Sequence, residues 1–552
     1  MPLPTSNRRR GLLLLVLLGA LFLRLYRLDY HSIWYDEAAT WGNATHARWI
    51  DTVMAESNHP PVWWLVTRAW LTVFSGAEAA LRMPAALCGV LAVALAYLLA
   101  RRLADPARVP SRGGFVGGYP SAPLWVVGFA AVNPFWIEYA QEARMYAAVL
   151  AESLLLCLLY LRYLDRGGRW PLVAYALTAA LGVYTHYYAV LVVAGHAVHA
   201  LWLWRRQRRT DAPFSPWPVL AAMTVGGLLF LPWFLVLVGG YRGIFSHPTP
   251  PLEMLANALW RMGTGPGLAV MDVPRLEQGI WPVVRDSLLT FVGQVLLWFV
   301  PIGFGLRAIW RDRGVRAFVL CSVMVPVGIA LLVSFQWTLI SEKYLIFLAP
   351  FLLYLAVVGA LSVRGAWRTV LMGGLVLLHA GGLLAYHGPD LPIARPLVGD
   401  HPYGKEQWRD LHRWVVDQVD PGDVVLLHAP FVHVAWDFYE TVPRGEPARG
   451  EGPATAAAAG VPRLSLPAMS EGPEPILAES DVARLYPQLA QANEVFLVLS
   501  HQTTPDPYYY SGVVRSTLGT LQPAKEWAVE KVVFPRARGV RVHRFYTPKR
   551  GS

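Results

Sequence analysis

Long apolar runs alternate with short arginine clusters over about the first 390 residues of this chain. Because an α-helix rises about 1.5 Å per residue, roughly 20 apolar residues cross the 30 Å hydrocarbon core of a bilayer. The runs therefore predict a polytopic α-helical membrane protein with about 11 spans. The predicted spans lie near residues 11–28, 84–103, 121–137, 145–164, 171–185, 188–204, 217–239, 288–309, 317–337, 344–362 and 369–386.

The composition of the whole chain also indicates a membrane protein. Of the 552 residues, 55% are apolar and 15% are charged, whereas a soluble protein keeps about 25% charged residues. A net charge of +11 would suggest nucleic acid as the partner of a soluble protein, but here the arginines lie between apolar runs, so no nucleic-acid partner is predicted. Cys88, Cys157 and Cys321 lie inside apolar stretches, which excludes a disulfide framework or a zinc module.

The arginine clusters predict how the chain is oriented in the membrane. Clusters near residues 8–10, 101–102, 162–169, 205–209, 307–316 and 364–368 all fall on one side of the predicted spans. Cytoplasmic loops carry such an excess of Lys and Arg. We therefore predict a cytoplasmic N-terminus and, because the number of spans is odd, a C-terminal part outside the cytoplasm.

Residues 388–552 have the composition of a soluble domain. Helical patterns near 405–419, 480–492 and 510–518 alternate with strand patterns near 423–428, 494–500, 530–534 and 540–546, which predicts an α/β domain. Residues 441–475 are rich in Pro, Gly, Ala and Glu and are predicted to be flexible. The predicted organisation is a transmembrane domain, 1–387, followed by an extracytoplasmic α/β domain, 388–552.

Polar residues beside the membrane mark candidate functional positions, because each costs free energy there unless it has a use. In the first predicted outer loop, Asp36 and Glu37 follow two aromatic residues. They either begin a solvated helix, where an acidic residue suits the helix dipole, or take part in catalysis. In the same loop, His59 precedes Pro60 and Pro61, which suit the first turn of an interfacial helix.

Three further predicted outer segments carry polar residues. They are Glu142, Arg144 and Tyr146 at the outer junction of the third and fourth spans, His186 and Tyr187 after the fifth, and Lys343 with Tyr344 at the start of a late span. An internal salt bridge is the structural alternative for the first segment. For the last segment the alternative is snorkelling, since an interfacial lysine commonly extends from a helix end to the polar surface.

In their order along the chain, these motifs resemble the integral-membrane glycosyltransferases of the GT-C class, and among them the bacterial relatives of protein O-mannosyltransferases and of aminoarabinose lipid A transferases. The resemblance covers roughly residues 10–390. The matching segments are Trp34-Tyr35-Asp36-Glu37, His59-Pro60-Pro61, Gln141-Glu142-Ala143-Arg144-Met145-Tyr146, Thr185-His186-Tyr187 and Lys343-Tyr344. Many relatives have Arg where this chain has Lys343, a difference that keeps the charge but loses a bidentate fork for phosphate.

The resemblance implies inverting transfer of a sugar from a polyprenyl-phosphate donor to an acceptor hydroxyl on the outer face of the membrane. Because phosphate leaves as a stable anion, one carboxylate suffices where glycoside hydrolysis needs two. Asp36 aligns with the family's catalytic aspartate and is expected to remove the proton of the acceptor. Glu37 is expected to orient the site, and Glu142 is expected to bind the acceptor or a divalent metal.

The same resemblance implies substrate-binding roles for other residues. The expected set is His59, Arg144, Tyr146, His186, Tyr187, Lys343 and Tyr344. Arg144 and Lys343 would stabilise the charge that develops on the leaving phosphate. His59 and His186 would be metal ligands or hydrogen-bond partners of the sugar, so a requirement for a divalent metal stays open.

Two other classes of function fit a chain with many spans. A transporter or lipid flippase is the first, but such proteins commonly show inverted repeats and paired interrupted helices, and neither is visible in this sequence. A non-catalytic assembly subunit is the second, and it would not need Asp36 beside the membrane. For the enzyme, the sugar stays open, and so does the acceptor, whether lipid, glycan or protein. The bacterial resemblance predicts the inner (plasma) membrane.

Overall fold

The computed structural model describes residues 6–56, 58–74, 76–105, 119–207, 214–240, 250–268, 281, 285, 288–336, 340–388, 391–392, 405–428, 433–442, 463–465, 486–500, 509–532 and 540–548. The chain divides into two compact units. The first comprises Met1–Arg27, Arg48–Val66 and Arg82–Tyr403, and the second comprises Leu28–Ala47, Thr67–Leu81 and Gly404–Ser552. The domain boundary between residues 387 and 388 stays a prediction. Two segments of the first predicted outer loop, Leu28–Ala47 and Thr67–Leu81, belong to the same unit as the C-terminal residues.

Helices form most of the described chain up to residue 387. In chain order they are α1 (Ser6–Leu25), α2 (Tyr35–Ala44), α3 (Trp49–Val53), α4 (Val62–Leu71), α5 (Glu78–Leu103), α6 (Ala122–Val132), α7 (Pro134–Ala140), α8 (Tyr146–Arg166), α9 (Arg169–Thr185), α10 (Ala189–Gln207), α11 (Trp217–Gly240), α12 (Pro251–Thr264), α13 (Leu288–Gln294), α14 (Val300–Ile309), α15 (Arg313–Ser334), α16 (Ala349–Ser362) and α17 (Ala366–His387). A π-helical turn, Val295–Phe299, joins α13 to α14, and a 3₁₀ turn, Ile346–Leu348, precedes α16. Helix α2 belongs to the second unit.

Each predicted span coincides with one or more of these helices. Within the described residues, six helical segments are long and apolar enough to cross a bilayer: Glu78–Leu103, Tyr146–Arg166, Trp217–Gly240, Phe291–Ile309, Arg313–Ser334 and Ala366–His387. Ala122–Val132 and Ile346–Ser362 are apolar but shorter. A helical membrane protein is therefore supported, whereas the number of 11 spans and the orientation in the membrane stay predictions.

The predicted span at 121–137 is two helices and not one. Helix α6 ends at Val132, and the side chain of Asn133 caps α7 by accepting a hydrogen bond from the Trp136 N–H at 3.1 Å. Pro134 occupies the first turn of α7, where its missing N–H costs nothing. The Asn-Pro pair thus breaks a continuous apolar run.

Helices α14 and α16 approach each other closely at two glycines. A Cβ atom at Gly305 would meet the backbone carbonyl of Leu355, and one at Gly359 would meet the carbonyl of Pro301. Small residues allow membrane helices to pack backbone against backbone. Both glycines are therefore required for this helix crossing.

The described C-terminal residues of the second unit contain a mixed sheet. Its strands are β1 (Val424–His428), β2 (Arg463–Ser465), β3 (Val495–Ser500), β4 (Ala528–Val532) and β5 (Val540–Tyr546), in the spatial order β2-β1-β3-β5-β4. Strand β1 is parallel to β2 and β3, while β5 is antiparallel to β3 and β4. Strands β1 and β3 are buried along their whole length, as expected for parallel strands covered on both faces.

Four helices accompany the sheet in the described residues, and the sequence anticipates only some of them. They are α18 (Trp408–Gln418), α19 (His433–Thr441), α20 (Tyr486–Leu489) and α21 (Tyr509–Leu521). Helix α19 is not among the predicted helices. Another helix is predicted at 480–492, and its first six residues, 480–485, lie outside the described residues.

Three residues of the segment at 441–475, which is predicted to be flexible, form a short strand. Residues 463–465 form β2, because their backbone pairs with β1. The rest of the segment beyond residue 442 lies outside the described residues. The side of the membrane on which this domain lies stays a prediction.

Candidate functional site

The loop between α7 and α8 holds two of the predicted site residues, Glu142 and Arg144, in a fixed conformation. The Gln141 side chain donates hydrogen bonds to the carbonyl oxygen of Arg24 at 3.1 Å and to that of Tyr26 at 2.8 Å. Within the loop, the Arg144 N–H donates to the Glu142 carbonyl at 2.7 Å. Since Glu142 and Arg144 are both buried, the loop brings a carboxylate and a guanidinium into the protein interior.

Arg144 contacts His59 and Trp64. Its Nη2 atom lies 3.1 Å from His59 Nε2, and its guanidinium carbon lies 5.3 Å from the centre of the Trp64 ring. A guanidinium can only donate, so Nε2 of His59 accepts and Nδ1 carries the proton. His59 Nδ1 lies 2.8 Å from Glu56 Oε1 and donates to it. Glu56 therefore fixes the tautomer of His59, and His59 in turn helps to hold Arg144.

His186 lies against three aromatic rings in the turn between α9 and α10. Its ring centre is 5.1 Å from that of Tyr344, 5.4 Å from that of Tyr188 and 6.0 Å from that of Tyr146. Its Nδ1 accepts the Tyr188 N–H at 3.2 Å, so the neutral ring carries its proton on Nε2. The ring of His59 is 6.5 Å away, which places both histidines in one group.

Lys343 completes this group. Its Nζ lies 5.5 Å from the centre of the Tyr146 ring and 5.7 Å from that of Tyr344. Both distances permit cation–π attraction. We call His59, Arg144, Tyr146, His186, Lys343 and Tyr344 the cationic cluster; all of them lie in the first unit.

The protonation of His186 follows from its surroundings. Burial lowers the pKa of His186 well below its ordinary value, and the nearby His59, Arg144 and Lys343 lower it further. His186 is therefore neutral at pH 7, and the positive charge of the cluster resides on Arg144 and Lys343.

Arg261 on α12 is a charged neighbour that the sequence analysis missed. Its Nη2 lies 2.9 Å from Glu138 Oε1 and its Nη1 lies 2.6 Å from Glu342 Oε1. Burial raises the pKa of Glu342, but Arg261, together with hydrogen bonds and Lys343, brings it below its ordinary value. Arg261 lies in a predicted outer loop that also contains Arg242, Arg275 and Arg285, so its sequence context does not single it out.

Two further predicted site residues are Tyr187 and Glu142. Tyr187 accepts a hydrogen bond from Trp233 Nε1 of α11 at 2.9 Å, and burial raises its pKa to about 12. Glu142 is buried in the same loop as Arg144. Within the described residues, no group of three or more His, Cys, Asp or Glu side chains is arranged to hold a metal ion.

Asp36 and Glu37 lie in the first turn of α2, in the second unit. Asp36 is partly exposed, whereas Glu37 is fully buried. Glu37 Oε2 lies 3.6 Å from Nζ of Lys405, a residue close to the start of the C-terminal domain. Lys405 is not among the predicted site residues, because no local pattern links it to a residue so far away in the chain.

Part of the chain matches a known protein family. Residues 58–235 match the family model of the dolichyl-phosphate-mannose-protein mannosyltransferases. This segment contains the cationic cluster except Lys343 and Tyr344, and it also contains Glu142 and Tyr187. Asp36 and Glu37 precede it. A search of curated proteins by sequence finds no match.

Over nearly the whole chain, the fold is similar to that of ArnT, a protein of solved structure. ArnT from Cupriavidus metallidurans has a TM-score of 0.53 in the apo state and 0.52 when bound to undecaprenyl phosphate, with 14% identity and 98% of each chain covered. The oligosaccharyltransferase AglB from Archaeoglobus fulgidus, in complex with an inhibitory peptide and a dolichol-phosphate, has a TM-score of 0.48 and 13% identity, covering 98% of this chain and 74% of its own. The expected resemblance to GT-C glycosyltransferases related to O-mannosyltransferases and aminoarabinose transferases is confirmed, and at this identity the structural likeness establishes the fold.

Proposed function

We propose that this protein is an inverting glycosyltransferase that moves a sugar from a polyprenyl-phosphate donor to an acceptor hydroxyl at the outer face of the bacterial inner membrane. The observation that carries the proposal is the cationic cluster, in which Arg144 and Lys343 accompany two histidines and two tyrosines. The fold and the family match support the same class of enzyme.

The cluster has the chemistry needed to bind the phosphate of such a donor. When the sugar–phosphate bond breaks, negative charge grows on the phosphate oxygens. Fixed cations in a partly water-excluded site stabilise that charge more than water does. Arg144 is preorganised for this role, because His59 and Trp64 restrict its guanidinium.

His186 adds a neutral hydrogen-bond donor. Its Nδ1 is already used by Tyr188, so its Nε2–H is the group that it can offer to a phosphate oxygen or a sugar hydroxyl. A neutral donor also avoids placing a third positive charge beside Arg144 and Lys343. His59 acts indirectly in this proposal, since both of its ring nitrogens have protein partners.

The proton of the acceptor hydroxyl must be removed as the new bond forms. We assign this step to Asp36, with an expected contribution of roughly 10²–10⁴-fold. Glu37 orients the first turn of α2, and Glu142 binds the acceptor or a divalent metal. A transporter or flippase is not proposed, because the family model that matches is that of mannosyltransferases.

Release of polyprenyl phosphate tests the proposal directly. The purified protein in closed lipid vesicles would be incubated with a panel of polyprenyl-phosphate hexoses, pentoses and aminopentoses, each with lipid, glycan and peptide acceptors. Mass spectrometry would then measure free polyprenyl phosphate and glycosylated acceptor. We expect turnover with one donor class and its loss in Lys343→Ala. Movement of donor across the bilayer without bond cleavage would support the flippase instead.

A further inference from the structure

The segment that carries Asp36 is built into the C-terminal part of the second unit. Ser32 Oγ accepts the N–H of Arg409 at 2.9 Å, and the Ile33 N–H donates to the Tyr439 hydroxyl at 2.7 Å. The Tyr439 hydroxyl also contacts Ser32 Oγ at 2.9 Å. Residues from the beginning of α18 and from α19 thus fix the backbone immediately before α2.

Helix α2 itself packs on α19. The ring centres of Trp41 and Phe438 are 5.5 Å apart and nearly perpendicular. A Cβ atom at Gly42 would lie 2.8 Å from Cγ2 of Val434. The helix therefore lies too close to α19 for a larger residue at position 42, and its orientation is set by the C-terminal domain.

Two adjacent residues, Lys405 and Glu406, contact the first turn of α2. Trp34 precedes the helix and supplies no side-chain cap. Instead, Glu406 Oε2 accepts the Tyr35 N–H at 3.3 Å and the Trp408 Nε1–H at 2.6 Å. A carboxylate at a helix N-terminus satisfies an otherwise unpaired donor and suits the helix dipole.

Lys405 is more unusual, because a cation at a helix N-terminus is opposed by the dipole. Its position is explained by Glu37. The two charged atoms are 3.6 Å apart, and the side chains are 5% and 0% exposed. Removing one partner of a buried ion pair leaves an uncompensated charge, which is strongly unfavourable. Without Lys405, the buried Glu37 carboxylate loses the cation beside it, and that loss destabilises the turn that holds Asp36.

We infer that Lys405 is a positioning residue for sugar transfer, which holds the first turn of α2 through its buried ion pair with Glu37 and so keeps Asp36 in place. This inference rests on the proposed function in one respect, that Asp36 acts on the acceptor. It gives the C-terminal domain a part in forming the catalytic turn, in addition to any role in choosing the acceptor. A displacement of a reacting group by about 1 Å can cost about 10²-fold in rate.

The test uses the full-length protein and four variants. Lys405→Met removes the charge with similar length, Lys405→Arg keeps the charge, and Glu37→Gln with Lys405→Met removes both charges together. Lys525→Met is the matched control, since Lys525 lies elsewhere in the same unit and donates to the carbonyl of Ala492 at 3.0 Å. For each, kcat and the KM for donor would be measured, together with amide hydrogen exchange in α2.

We expect Lys405→Met to lower kcat by about 10- to 100-fold while the donor KM changes by less than about 2-fold. Lys405→Arg and Lys525→Met should stay close to wild type. The double variant should be more active than Lys405→Met alone, because the carboxylate that has lost Lys405 is removed as well. Hydrogen exchange in the first turn of α2 should be faster in Lys405→Met and slower again in the double variant.

The results separate this inference from the proposed function. If the wild type transfers sugar and Lys405→Met does so equally well, the positioning role is wrong while the proposed function stands. If the wild type transfers no sugar from any donor, the proposed function fails, and hydrogen exchange still decides whether Lys405 holds α2. Unchanged exchange in Lys405→Met would overturn the inference in either case.

Discussion

Arg261 Nη1 lies 2.6 Å from Glu342 Oε1, and Arg261 Nη2 lies 2.9 Å from Glu138 Oε1. Glu342 directly precedes Lys343 in the sequence. The guanidinium therefore bridges two buried carboxylates from separate parts of the first unit. Because Arg261 neutralises Glu342, this carboxylate attracts its neighbour Lys343 less strongly.

The first prediction concerns this bridge. Arg261→Met should raise the donor KM by about 10-fold or more, because the two buried carboxylates lose the guanidinium between them and Glu342 attracts its neighbour Lys343 more strongly. Adding Glu138→Gln and Glu342→Gln to Arg261→Met should restore much of the lost donor binding. Donor KM in the single and triple variants would be compared in the transfer assay. If the triple variant is as weak as the single one, Arg261 acts on the donor directly and not through the carboxylates.

Lys343 provides the second prediction. Lys343→Ala should weaken donor use more than Lys343→Arg does, because the leaving phosphate needs positive charge more than it needs an ammonium in particular. The ratio kcat/KM for the donor checks this order. Equal kcat/KM values in wild type and both variants would show that Lys343 does not act on the donor.

The third prediction concerns Asp36. Asp36→Asn keeps the size of the side chain but cannot accept a proton, so transfer should fall by roughly 10²-fold or more while donor binding persists. A surface carboxylate that only begins a helix would contribute about 0.3–1 kcal/mol, and its neutralisation would leave turnover intact. The double variant Glu37→Gln with Lys405→Met serves as control and should lose less. Near-normal turnover in Asp36→Asn would make Glu142 the next candidate base.

A fourth prediction follows from the lowered pKa of His186. Below an unfolded-state pKa of about 6.5, the unfolded chain binds a proton at this residue that the folded protein does not. The contribution of His186 to stability is therefore present above pH 6.5 and is lost as the pH falls, by at most about 1.4 kcal/mol per pH unit. Melting temperatures of wild type and His186→Gln at pH 7.5 and 5.5 should show a smaller acid-induced decrease in the variant. An identical decrease would show that the pKa of His186 is close to its ordinary value.

The fifth prediction tests the close crossing of α14 and α16. Gly359→Ala places a methyl group against the carbonyl of Pro301, so it should destabilise the protein by about 1–3 kcal/mol. Gly373→Ala on α17 is the matched control, because a Cβ atom there meets nothing within 4 Å. Thermal unfolding of both variants in the same detergent gives the comparison. Equal melting temperatures would mean that the two helices can separate at no cost.

Much of the fold could be predicted because hydropathy is a local property of the sequence. The apolar runs at 145–164 and 217–239 coincide with α8 and α11. The break at Asn133 was missed, although an Asn-Pro pair commonly begins a turn or caps a helix, because the apolar residues around it outweigh that signal. The short strand β2 could not be predicted, since three residues become a strand only by pairing with β1.

Some residues of the candidate site could be predicted from the sequence, and others could not. Arg144, His186 and Lys343 could be proposed together because each lies next to a predicted span on the same side, and the structure brings them into one cluster. Arg261 and Lys405 could not be found by this approach. Each is an ordinary basic residue in its own segment, and its importance comes from buried carboxylates that approach it only in the folded chain.

The pairing between residues 35 and 406 also determines when the protein can finish folding during its synthesis. Tyr35 and Glu406 are 371 residues apart in the chain. At about 5–20 residues per second, roughly 20–70 s pass between the synthesis of the first turn of α2 and that of the residues that hold it. Throughout this interval the nascent chain already contains Asp36 but lacks Lys405, Arg409 and Tyr439. A ribosome-bound chain should therefore be unable to transfer sugar before its C-terminal domain emerges, which delays the first turnover until the whole enzyme has been made.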